Sequence, residues 1–135
     1  MNDLNDNPEK KTEPTKAELD ILQVLWEDGP STVRAVNERL NAQKKAVQYT
    51  STLKQMQLMV EKGLLLRDES SMKHVYSAAI GEQPTKSALL DRFVDTMYKG
   101  SPSSLMMQLL GNKNTSKAEL DAIRNLLDQM DSDKA

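Results

Sequence analysis

The stretch that decides the fold is Tyr49-Thr-Ser-Thr-Leu-Lys-Gln-Met-Gln-Leu-Met-Val-Glu-Lys-Gly63, followed by Leu64-Leu-Leu-Arg67 and Met72-Lys-His-Val-Tyr-Ser77. In the first part, Tyr49, Leu53, Met56 and Val60, with Met59, recur at helical steps, and Gly63 supplies a stop. The opposite face reads Gln48, Thr50, Ser51, Thr52, Lys54 and Gln55, without one carboxylate. Such a face suits approach to base edges and phosphates, because small hydroxyls, amides and a few cations serve there and acids are repelled. A polar helix face with no partner is the plainer reading of the same pattern. The two apolar segments that follow, separated by Asp68-Glu-Ser-Ser71, read as a two-stranded hairpin.

Two further helices precede this one. Thr15-Lys-Ala-Glu18 has capping-box form, and Leu19, Leu22, Leu25 and Trp26 mark the buried face of a helix ended by Gly29-Pro30. A core position suits Trp26 better than stacking on a base. Ser31 is the expected cap of a second helix over Thr32 to Asn41, with Val33, Val36 and Leu40 on one side and the polar turn Ala42-Gln-Lys-Lys45 after it. Three helices and a hairpin, in that order, make a winged helix. Lys73 and His74 fall on its wing, although a solvent-facing strand position explains His74 better than a DNA contact does.

Residues 1–14 lack apolar spacing and read as a disordered arm, 15–80 as the winged-helix domain, and 84–130 as a helical dimerisation arm beyond a hinge at Gly81 to Pro84. The arm begins with a helix through Tyr98, capped by Thr85 or Ser87 and carrying Leu89, Leu90, Phe93, Val94 and Met97. Lys99-Gly-Ser-Pro102 breaks it. Ser103 or Ser104 then opens a short apolar helix with Leu105, Leu109 and Leu110, closed by Gly111. A second capping box, Ser116-Lys-Ala-Glu119, starts a last helix with Ile123, Leu126, Leu127 and Met130. Three thin helices with wide apolar faces and no sheet to cover them predict a homodimer, with Leu90, Phe93, Val94, Met97, Leu105, Leu109, Leu110, Ile123 and Leu127 at its interface. The fold class is therefore mostly α, an α+β winged helix-turn-helix with a two-stranded wing plus a C-terminal helical dimerisation arm.

Composition excludes much else. The absence of cysteine removes disulfides, zinc fingers and thiol catalysis, and a single histidine removes a histidine-based metal site or catalytic triad. No cofactor or metal is expected, nor an enzymatic role. Asp91 and Asp95 lie four apart, but Arg92 sits between them in sequence and they read as surface carboxylates. No apolar run approaches the ~20 residues of a membrane span, so a cytoplasmic protein without membrane insertion is expected. The net charge of −2 conceals an asymmetry: from Pro30 to Arg67, seven basic residues (Arg34, Arg39, Lys44, Lys45, Lys54, Lys62, Arg67) face only Glu38 and Glu61, a local +5.

In its order of motifs the chain resembles the BlaI/MecI family of penicillinase and methicillin-resistance repressors. The matching stretches are Ala17-Glu-Leu-Asp-Ile-Leu-Gln-Val-Leu-Trp26, Tyr49-Thr-Ser-Thr-Leu-Lys-Gln-Met56, Val60-Glu-Lys-Gly-Leu-Leu65, Val75-Tyr-Ser77, Asp91-Arg-Phe-Val-Asp95, Gly100-Ser-Pro-Ser-Ser-Leu105 and Ser116-Lys-Ala-Glu-Leu120. The resemblance implies a homodimeric repressor on a palindromic DNA operator, with a membrane sensor-protease as partner and cleavage within the arm. Where the family is cut at Asn–Phe, this chain has Gln108–Leu109. The family's Gly-Arg wing tip aligns with Ser71-Met72, and Thr52 and Gln55 stand where relatives are often apolar. The cysteine-rich tail of copper-responsive members is missing.

Combining both lines, the expected DNA-binding residues are Gln48, Thr50, Ser51, Thr52 and Lys54 at the groove, with Arg34, Arg39, Lys44, Lys45 and Lys73 at phosphates. The competing reading is a winged-helix protein-interaction adaptor, favoured by the net charge and opposed by the acid-free helix face.

Overall fold

The computed structural model describes residues 13–43, 46–112 and 114–134. Nearly all of the expected disordered arm, together with Lys44 and Lys45, lies outside the described residues. Two compact units emerge, one reaching Leu89 and the other starting at Leu90. Among the described residues are six helices and one two-stranded sheet, a mostly α winged helix with helices after it.

Helix α1 (Lys16–Asp28) opens on the capping box expected from sequence: the Glu18 amide donates to Thr15 Oγ1 at 3.2 Å, and the Thr15 amide donates to Glu18 Oε1 at 2.9 Å. Its core residues are Ile21, Leu22, Val24 and Leu25, while Leu19 and Trp26 pack half-buried at the edge. The indole N–H of Trp26 donates to the Ile80 carbonyl at 3.0 Å, so Trp26 is structural and anchors the chain as it leaves the wing. Glu18 is also sealed at 1% exposure and receives the Lys62 ammonium at 2.6 Å. Burial alone would raise its pKa, but Lys62 and the Thr15 amide together hold the carboxyl below its ordinary value.

Helix α2 (Val33–Ala42) is capped by Thr32, whose hydroxyl accepts from the Ala35 amide at 3.2 Å. The expected cap, Ser31, does another job: its amide and carbonyl pair with those of Tyr76 at 2.9 and 2.8 Å, tying the start of α2 to the wing. Val33, Val36 and Leu40 are buried as expected. Helix α3 (Tyr49–Glu61) ends in a Schellman motif. There Gly63, at φ +84°, donates to the Val60 carbonyl at 3.1 Å, and the Leu64 amide donates to Met59 at 2.9 Å. Leu64 and Met59, both buried, supply the motif's apolar contact.

The wing consists of β1 (Leu65–Asp68) and β2 (Val75–Ala78), antiparallel with Leu65 opposite Ala78 and Asp68 opposite Val75. Residues 69–74 therefore form a longer tip than the four-residue turn expected. The Ser70 amide, 2.9 Å from Asp68 Oδ1, holds that carboxyl below its usual range. Met56, Met59, Leu64, Leu65 and Tyr76 close the core against α1 and α2.

The boundary between units falls inside α4 (Glu82–Tyr98). The expected hinge at Gly81 to Pro84 is instead the first turn of this helix. Proline is tolerated there because first-turn amides have no intrahelical acceptor, and the Gly81 carbonyl accepts the Thr85 amide and hydroxyl at 3.2 and 2.6 Å. Lys99 and Gly100, both at positive φ, end α4. Helix α5 (Pro102–Asn112) is capped by Ser101, which accepts from the Ser104 amide at 3.2 Å, rather than by Ser103 or Ser104. The fixed φ of Pro102 favours the first helical position, so the helix starts there; it also continues through Gly111. Helix α6 (Lys117–Lys134) begins at Ser116, whose hydroxyl accepts from the Glu119 amide at 3.1 Å. No helix among the described residues is long and apolar enough to cross a membrane.

Candidate nucleic-acid interface

The exposed side of α3 presents Thr50, Ser51, Lys54, Gln57 and Leu58, with Gln48 just ahead of the helix. The numbering steps by one, three, three and one, so these positions share one face. It carries no acid before Glu61 in the last turn. Beside it lies a concavity of about 350 Å³, lined by Thr32, Val33 and Arg34 of the α2 start, by Tyr49, Leu53 and Gln57 of α3, and by Met72, Lys73, His74 and Tyr76 of the wing. The expected contact residues Arg34 and Lys73, thirty-nine positions apart in sequence, are thus brought to one cleft with His74. Gln48, Thr50, Ser51 and Lys54 are all exposed.

Thr52 is not. It is 1% exposed, and its Oγ1 accepts from Asn37 Nδ2 at 2.8 Å, so it faces α2 and the interior instead of solvent. The physical reason is register: Thr52 precedes Met56 by four positions and Met59 by seven, which puts it on the buried stripe. Tyr49 is displaced in the opposite sense. Expected in the core, it is 43% exposed, and the Arg34 guanidinium lies over its ring at 5.6 Å. The ring thereby holds a cation at the mouth of the cleft.

Several cations behind the local positive charge are already neutralised. Arg39 binds Asp28 at 2.9 Å and Glu27 at 3.3 Å, at the end of α1. Lys62 pairs with Glu18, and Arg67 with Glu69 at 2.9 Å. The Arg67 guanidinium is pushed up further by its hydrogen bond with Tyr76, then by Glu69. Arg39 is therefore a weaker phosphate candidate than sequence suggested. Arg34, Lys54 and Lys73 remain exposed, with no carboxylate partner described for them.

Sequence reasoning missed Asn37 and Asn41 altogether. Asn37 Nδ2 donates to the Val47 carbonyl at 3.0 Å as well as to Thr52, and Asn41 Nδ2 donates to Asn37 Oδ1 at 3.2 Å. The Val47 amide in turn donates to Asn41 Oδ1 at 2.8 Å. The available signal was a polar residue at position 37, on the same stripe as Val33 and Leu40.

In the second unit, Leu90, Phe93, Met97, Leu109, Leu110 and Leu127 are exposed, and Leu105 and Ile123 partly so. Val94, at 8% exposure, is buried within its own chain and is not part of that open surface. Gln108 is exposed on α5, where its Oε1 accepts from the Tyr98 hydroxyl at 2.9 Å. No group of three or more metal-ligating side chains occurs among the described residues.

Comparison with known proteins agrees with this architecture. The family model described as penicillinase repressor matches residues 14–129. The chain is 24% identical over 122 residues to a penicillinase repressor of Staphylococcus aureus, covering 90% of this chain and 95% of that protein. It is 22% identical over 124 residues to the methicillin resistance regulatory protein MecI of Staphylococcus aureus strain N315, covering 89% and 97%. A penicillinase repressor of Bacillus licheniformis is 24% identical over 114 residues, covering 84% and 88%. With a winged helix, an acid-poor α3 face and a match along most of its length, the chain belongs to the penicillinase repressor (BlaI/MecI) family of transcriptional repressors.

Proposed function

We propose that this protein represses transcription as a homodimer that reads an inverted-repeat operator, with one α3 in the major groove of each half-site. The observation that carries the reading is the union of an exposed, acid-poor α3 face with a flanking cleft where Arg34, Lys73 and His74 converge. Gln48, Thr50, Ser51 and Lys54 would meet base edges and nearby phosphates, and Arg34 and Lys73 would grip the backbone on either side. Lys44 and Lys45, which fall between α2 and α3 in sequence, are further phosphate candidates. The second unit supports dimerisation: a soluble chain does not leave Leu90, Phe93, Met97, Leu126 and Leu127 each about half exposed without a partner surface.

Induction follows from the same arrangement. One winged helix reads too few base pairs to be specific, so weakening the arm releases the operator. A membrane sensor-protease is the proposed partner for that step. Gln108–Leu109 lies inside α5, so cleavage there requires the helix to open first.

The test is duplex selection from a random-sequence pool by the purified protein, with sedimentation to fix its oligomeric state. A dimer that enriches an inverted repeat, and a Phe93→Lys variant that sediments as a monomer and loses that binding, is the expected result. A dimer that enriches no sequence even at low salt would remove the DNA-reading role and leave a protein-interaction adaptor.

A further inference from the structure

We propose that Asn37 and Asn41 of α2, with Thr52 of α3, are positioning residues that set the DNA-reading turn at Gln48 to Ser51 and so determine specificity rather than mere stability. The inference rests on the DNA-reading role proposed above.

Helix α3 has no side-chain cap of its own: Gln48 occupies the N-cap position and makes no such bond. Its start is held from outside. Asn37 reaches across from α2 and uses both amide hydrogens, one on the Val47 carbonyl at 3.0 Å and one on Thr52 Oγ1 at 2.8 Å. Asn41 completes the clamp, accepting the Val47 amide at 2.8 Å and donating to Asn37 Oδ1 at 3.2 Å. Both main-chain polar groups of Val47 are therefore fixed by asparagine side chains, and so is the fourth residue of the helix. Between these two anchors lie Gln48, Tyr49, Thr50 and Ser51, which include three of the exposed groove candidates and the ring beneath Arg34.

An apolar contact at this place would bury the same atoms without fixing a direction. Hydrogen bonds do fix one, and a satisfied network with a buried Asn37–Thr52 bond at its centre and the exposed Asn41 at its rim has low tolerance for displacement. Asn37 is 8% exposed and Thr52 1%, and no buried side-chain polar atom among the described residues lacks a partner. The set is complete, so loss of one member leaves the others unpaired and the turn free to shift. Bidentate contact to a base edge is sensitive to such shifts, whereas attraction to phosphates is not.

The experiment uses the full chain and a duplex that the wild type enriches from a random pool, with a scrambled duplex of equal length as reference. Thr52→Val removes the acceptor at nearly constant volume, Thr52→Ser keeps it, and Asn37→Ala removes the bonds to the Val47 carbonyl and to Thr52 together. Thr52→Val and Asn37→Ala are expected to reduce the ratio of selected to scrambled affinity about tenfold or more, the loss of one good base contact. Binding to the scrambled duplex and the salt slope should stay unchanged, and Thr52→Ser should restore the ratio. A lowered melting temperature with an unchanged ratio would overturn the inference by making the network structural only. Should Asn37→Ala fail to fold, the Thr52 pair decides the matter. If the wild type enriches nothing, the DNA-reading role itself falls, a result distinct from enrichment that Thr52→Val leaves intact.

Discussion

Lys62→Met tests the electrostatics at the join of α1 and α3. Glu18 is nearly sealed from water, and its Oε2 lies 2.6 Å from the Lys62 ammonium, while Oε1 accepts the Thr15 amide. Methionine keeps most of the aliphatic stem and removes the cation. Breaking a buried pair costs about 3–5 kcal/mol, but the Lys62 side chain is 48% exposed and its charge is partly screened. The expected loss at pH 7 is therefore about 1–3 kcal/mol, which lowers Tm by roughly 10 °C in a domain of this size. The pH dependence carries the sharper information. The wild-type Glu18 carboxyl is held below the ordinary value of 4.5, so its contribution to stability is present above that value and disappears as pH falls through the lowered one. In the variant both contributions of Lys62 are gone and burial is opposed by Thr15 alone, so the carboxyl lies higher than in the wild type and loses less stability on protonation. The difference between the two should be largest at pH 7 and shrink towards pH 3. Urea unfolding at both pH values and one fixed protein concentration measures it. A difference that is the same at pH 7 and pH 3 would refute the reasoning, because only an ionised Glu18 requires Lys62.

Four other substitutions probe separate joints. Trp26→Phe deletes the 3.0 Å bond to the Ile80 carbonyl and should cost about 1–2 kcal/mol in urea unfolding, with the secondary structure unchanged by circular dichroism. Gly63→Ala meets no atom within 4 Å, so its expected cost of about 1–2 kcal/mol in thermal unfolding is the left-handed backbone strain at φ +84° alone. Arg34→Ala should reduce the salt slope of DNA binding by about one per protomer. Arg39→Ala should leave that slope nearly unchanged, since Asp28 and Glu27 already hold Arg39; salt titrations of both variants on one duplex compare them.

Features governed by near neighbours in the chain were legible in the sequence. The Thr15–Glu18 capping box, the stop at Gly63 and the buried positions Val33, Val36 and Leu40 needed only local chemistry and a helical period. The misreadings at Ser31, Tyr49 and Thr52 share another cause, which is a partner far away in sequence. Ser31 is drawn from the cap position by a bridge to Tyr76, and Thr32 takes its place. Thr52 looks like a surface threonine until Asn37, fifteen positions earlier, is seen to demand an acceptor inside. Hydrophobicity assigned Tyr49 to the core and Thr52 to solvent; the paired polar groups reverse both.

Charge teaches a related lesson about the site. The local +5 between Pro30 and Arg67 pointed to nucleic acid, yet acids from elsewhere hold three of those cations: Glu18 takes Lys62, Glu27 and Asp28 take Arg39, and Glu69 takes Arg67. Of these pairs only Lys62–Glu18 has a buried member, Glu18 at the join of α1 and α3. What distinguishes the candidate interface is the set of exposed cations with no carboxylate partner among the described residues, and Lys73 joins that set from outside the counted segment. The wing carries Lys73 and His74 to the cleft where Tyr49 holds Arg34. A chain with net charge −2 can thus present a positive, acid-poor surface to a phosphate backbone, because the exposed α3 face carries no acid before Glu61 and Glu18, Glu27, Asp28 and Glu69 are paired with cations.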